Sequence, residues 1–152
     1  MVSSGATVWA IFAIEGGLCK VIIRTMSKAI TQNIEIVVES HFVEERSSSD
    51  RQLYFFVYEV QITNHGDVPV KLFSRHWIIT DGSGRREEVR GMGVIGEQPR
   101  IMPGETYSYN SFCPLPTEVG TMAGSYQMID ESGGEFSAEI APFTLAVPYA
   151  LN

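Results

Sequence analysis

Between Arg90 and Pro99 the chain reads RGMGVIGEQP, so that Gly91, Gly93 and Gly96 stand at the GxGxxG spacing of loops that cradle phosphate. Glycines at that spacing let backbone N–H groups curl around a pyrophosphate, and Arg90 or Arg100 would add positive charge. The dinucleotide form of the motif needs its third glycine to open a helix whose N-terminus holds the pyrophosphate. Here Gly96 runs into Glu97, Gln98 and Pro99, then into Met102-Pro103-Gly104-Glu105, which leaves no room for a helix. The segment is the first choice for a ligand site, taking pyrophosphate or a nucleotide. The favoured alternative is that these glycines serve bulges and positive φ at a sheet edge or corner.

Other residues with chemical potential are scattered. Arg75-His76-Trp77 lies on an extended segment, so Arg75 and Trp77 share one face and His76 takes the other, which points to a core tryptophan and polar neighbours that satisfy loop carbonyls. His41, His65 and His76 fall in separate segments with no paired-histidine spacing, and no metal site is expected from them. Asp130, Glu131 and Glu135 flank Ser132-Gly133-Gly134 without the DxDxDG order that converges oxygens on calcium, so a solvated hairpin is expected. Cys113 has no histidine near it in sequence, no GxSxG occurs, and no catalytic residue or cofactor is assigned.

The elements that must position these residues are strands. From Asn33 onward the hydrophobic period is two: Ile34, Ile36 and Val38 alternate with Glu35 and Glu39, and Tyr54, Phe56, Tyr58, Val60 and Ile62 alternate with Phe55, Val57, Glu59 and Gln61. Further strands are read at Val70 to Thr80, Arg85 to Arg90, Thr106 to Phe112, Thr121 to Asp130 and Glu135 to Val147, the last bent at Pro142. About seven antiparallel strands with frequent turns make an all-β sandwich, in which Trp77 is analogous to the buried tryptophan of an immunoglobulin-like strand C. Phe55 and Val57 make the second face of their strand apolar as well, and they are the candidate partner-binding residues, for another protein or for a second copy of the chain.

Composition bounds the partners. The 152 residues suit one domain, and the net charge of −7 with no basic stripe argues against a nucleic-acid partner. No apolar run reaches the ~18 residues of a membrane span. Cys19 and Cys113 form no CxxC pair, which points to a reducing cytoplasm. Residues 1–25 are apolar, poor in charge and followed by Met26, so they are expected to be an extension outside a core domain of residues 26–152.

Ser74-Arg75-His76-Trp77-Ile78-Ile79-Thr80-Asp81, then Gly91 to Pro99, then Met122-Ala123-Gly124-Ser125-Tyr126 resemble the ApaG family, in order across most of the domain from Met26 onward. That resemblance implies a fibronectin type III or immunoglobulin-like sandwich in a bacterial protein without established enzyme activity. It further implies an association with cobalt tolerance and magnesium efflux, and a protein-binding role, as in F-box and polymerase-interacting relatives. A non-enzymatic binding module for a protein partner is therefore expected, with a phosphate-containing small molecule at Gly91 to Gly96 as the alternative.

Overall fold

In the computed structural model, which describes residues 3–15 and 18–151, with the side chains of Thr7 and of residues 22–150, ten strands build two antiparallel sheets. The first sheet runs β1 (Ser3–Glu15), β2 (Leu18–Thr31), β3 (Ile34–Phe42), β4 (Tyr54–Asn64) and β8 (Thr106–Leu115), in that spatial order. In the second, β10 (Glu135–Ala146), β9 (Val119–Asp130), β5 (Val70–Asp81) and β6 (Arg86–Met92) lie side by side, and the two-residue β7 (Arg100–Ile101) pairs with the start of β5. The all-β sandwich is as expected.

Alternation sets each strand's facing. Ile34, Ile36, Val38, Phe56, Tyr58, Val60 and Ile62 from the first sheet meet Trp77, Met122, Tyr126, Met128, Ile140, Phe143 and Leu145 from the second, all buried in one cluster. Trp77 sits at its centre, with ring centroids of Tyr58, Phe143 and Tyr126 at 5.3, 6.0 and 6.2 Å. The Tyr109 and Tyr126 hydroxyls bond to each other inside this cluster, which satisfies two polar groups that burial would otherwise penalise. Two bulges adjust the second sheet, one at Phe73 and one at Ala141 and Pro142, where the missing proline donor interrupts the ladder.

Seven of the ten strands match those expected, and β1, β2 and β7 do not. In β2 the usual alternation is disguised. Thr25, Ser27 and Ala29 are the buried residues, while Met26, Lys28 and Ile30 are not, so hydroxyls occupy the inner face where aliphatics would have announced a strand. Thr25 and Ser40 hydroxyls converge on the carbonyl of Thr144, joining β2 and β3 to β10. The division expected after residue 25 thus falls within β2, and β1 pairs along its length with that strand.

Candidate functional site

The GxGxxG segment forms a tight hairpin. Val94 and Glu97 exchange both backbone hydrogen bonds, at 2.8 and 2.9 Å, around Ile95 and Gly96, whose φ values of 43° and 78° are those of a type I′ turn. Gly93 has φ 61°, and its N–H donates to the carbonyl of Phe73 at 2.8 Å. A Cβ on Gly93 would land on the carbonyl oxygen of Glu97, so the position admits glycine alone. The N–H groups of Gly93, Val94 and Glu97 are therefore all committed within the protein, and they are not arrayed as an open nest for phosphate. Ile95 is a β-branched residue held in the left-handed region and 62% exposed, a backbone cost accepted at a loop tip.

The two arginines assigned to this loop part company. Arg90 stays beside Gly91, and both line a surface cavity of about 290 Å³ with Ser74, Arg75, Met92 and Gln127. Its guanidinium lies 3.6 Å from Glu88. Arg100 is carried away on β7 into an exposed ion pair with Glu131. Arg75 takes the structural role expected of it. Its guanidinium covers Gly91 and donates to the carbonyls of Gly93, at 2.8 Å, and Met92, at 3.2 Å, clamping the hairpin to β5.

On the outer face of the first sheet, Phe55 is buried and Val57 half-buried. What covers Phe55 is local: the Arg46 guanidinium lies 4.7 Å from its ring centroid, and Phe112 of β8 stacks on it at 5.3 Å. The residue that meets solvent is Phe112, 60% exposed and paired with Val57 across the β4–β8 ladder. Its place in phase with the polar Ser108 and Asn110, opposite in facing to Tyr109 and Cys113, is the sequence signal for this surface.

The remaining polar residues fall into separate arrangements. His41 lies on β3, His65 follows β4 with Glu35 at 3.7 Å, and His76 of β5 meets Glu88 at 3.1 Å. Burial, then Arg24, pushes the His41 imidazole below its usual range. No three His, Cys, Asp or Glu side chains converge as a metal site among the described residues. Cys113 is buried against the core, and burial followed by Glu87 pushes its thiol up to about 12, which leaves little thiolate for nucleophilic chemistry.

Asp130 closes its hairpin by accepting from Ser132 N–H at 2.9 Å, Ser132 Oγ at 2.6 Å and Gly134 N–H at 2.9 Å. Asp81 does the same with Ser83 N–H and Oγ and with Arg85 N–H at 3.1 Å. The serine bonds, foremost, hold both carboxyls below the ordinary carboxylate range. A depressed folded-state pKa contributes stability that is present above about pH 4 and is lost as pH falls through the folded value. Thermal midpoints measured against pH should therefore decline less steeply in acid for an Asp81→Asn, Asp130→Asn variant. An unchanged acid limb would contradict this assignment.

Comparison with known proteins places this geometry. The ApaG domain model matches residues 44–130. The ApaG protein of Rhodopseudomonas palustris strain TIE-1 is 52% identical over 123 residues, covering 81% of this chain and 95% of that protein. The ApaG protein of Aromatoleum aromaticum is 50% identical over 127 residues, covering 84% and 100%. A Bordetella pertussis crystal structure described as that of an ApaA protein superposes with a TM-score of 0.74 at 50% identity, covering 76% of this chain and 94% of that one.

Proposed function

The chain belongs to the ApaG domain family, and on that premise we propose that it is a non-enzymatic binding module acting through a protein–protein contact on the outer face of its first sheet. One observation carries the reading. Phe112 is 60% exposed while its ring rests on Phe55 and its backbone neighbour is Val57, so a rigid aromatic platform is presented to solvent. Aromatic anchors backed by packed neighbours are the residues that dominate protein interfaces, because little side-chain entropy remains to be lost. The residues with catalytic potential support the same reading, since Cys113 is buried and His41, His65 and His76 stand on different elements.

Phe112→Asp is the informative substitution, because Phe55→Asp would bury a carboxylate beneath Arg46 and Phe112. The immobilised protein is expected to retain a partner from bacterial lysate that the Phe112→Asp protein loses by about 100-fold, the cost of a ~3 kcal/mol hot spot. Retention of nothing specific, or equal retention by both proteins, would remove the reading.

A second reading rests on the cavity of about 290 Å³ beside Arg90 and Gly91, which suits a phosphate-containing ligand. It is weaker, since Arg75 is spent on the carbonyls of Met92 and Gly93 and the amides of Gly93, Val94 and Glu97 are committed. Amide shifts in a millimolar pyrophosphate titration check it, and a flat response at Arg90 and Gly91 would end it.

A further inference from the structure

The free edge of β8 carries no charged side chain. Strand edges are ordinarily protected by charge, brevity or closure. β6 is seven residues long and carries Arg86, Glu87, Glu88 and Arg90, and β10 is bonded to the first sheet through Thr144. By contrast, β8 reads TYSYNSFCPL, ten residues without one charge, and among the described residues pairs with β4 alone.

Which backbone groups face outward follows from the ladder. Asn64 N–H donates to Glu105 C=O at 3.0 Å, which makes Thr63 and Thr106 a non-hydrogen-bonded pair. Alternation along the register then directs the N–H and C=O groups of Thr106, Ser108, Asn110 and Phe112 away from β4. Pro114 falls in the same phase, so its missing N–H costs the β4 ladder nothing and ends the outward donor row. Side chains of all five positions are exposed.

The surroundings specify a charge. On the side facing the second sheet, Glu97 accepts from the Tyr107 hydroxyl at 3.1 Å, and the Glu87 charge adds to the burial that raises the Cys113 thiol. Both glutamates are exposed, and neither takes part in an ion pair among the described residues. On the opposite side stands Phe112, and the whole chain carries −7. A second copy would bring the same carboxylates and the same net charge, whereas a basic strand complements them.

We infer that β8 accepts an extended basic peptide as an added strand along Thr106 to Phe112, with basic residues toward Glu87 and Glu97 and apolar residues against Phe112. The inference rests on the module being a protein-binding one, and it names the mode and the partner's chemistry. Main-chain hydrogen bonds supply the pairing, and the alternating side chains supply selectivity.

The probe is the acetylated, amidated heptapeptide KVKVKVK, titrated at low salt into the full chain, with EVEVEVE as control. Saturable amide shifts are expected, with new hydrogen-exchange protection at Thr106, Ser108, Asn110 and Phe112 and none from the acidic peptide. Ser108→Pro and Asn110→Pro each delete one outward N–H while sparing the β4 ladder, and each should weaken binding at least 10-fold. Glu87→Gln with Glu97→Gln should weaken it and flatten its salt dependence. Binding without that protection, or binding indifferent to both prolines, overturns strand addition while leaving the Phe112 surface reading intact. No binding at millimolar peptide overturns it as well, and so does protection of the same amides by self-association. Failure of the wider protein-binding reading is seen separately, in the lysate comparison of Phe112→Asp.

Discussion

Replacing Trp77 with alanine is expected to lower the unfolding free energy by about 3–5 kcal/mol, the range for truncating a large buried aromatic. The indole is only 3% exposed and contacts Tyr58, Tyr126 and Phe143, which come from both sheets, so its loss opens a cavity at the sandwich centre. The surrounding strands cannot collapse into that space without breaking their ladders, which is why the cost sits above simple transfer. Urea unfolding followed by tyrosine fluorescence and far-UV circular dichroism measures it. A loss below about 1 kcal/mol would mean that the two sheets do not depend on this contact.

Gly124→Ala is expected to cost nearly as much, about 3 kcal/mol, although it adds one methyl group. Gly124 pairs with Trp77 across β9 and β5, and an added Cβ would land on the His76 carbonyl oxygen and 3.1 Å from the Trp77 Cα. Both obstacles are backbone, so relief requires the strands to separate rather than a side chain to rotate. A urea midpoint close to that of the parent protein would show that β5 yields more easily than this contact implies.

The two predictions illustrate how much of the molecule was legible in one dimension. Trp77 was readable as core because it sits in an alternating strand flanked by turn signals. The clash at Gly124 was not, since nothing in Ala123-Gly124-Ser125 states which strand lies alongside. The same limit governed the candidate sites. Gly91, Gly93 and Gly96 were visible as a motif, and the prolines and turns after them argued against a helix. That the amides of Gly93, Val94 and Glu97 are taken up by Phe73, Glu97 and Val94 depends on a hairpin closing against β5. Arg90 and Arg100 looked equivalent in sequence until β7 carried Arg100 to Glu131.

What the sequence determined by itself was the all-β character, seven of the strands, the turns and the family, because period-two burial and turn chemistry are local properties. Tertiary structure alone decided that Phe55 is covered while Phe112 is largely exposed, because Arg46 folds back over the Phe55 ring and, among the described residues, no cation lies over that of Phe112. It also decided which side of β8 keeps its hydrogen bonds unspent. Strand pairing is a contact between segments far apart in the chain, and side-chain alternation, identical on an edge strand and a central one, carries no record of who the neighbour is.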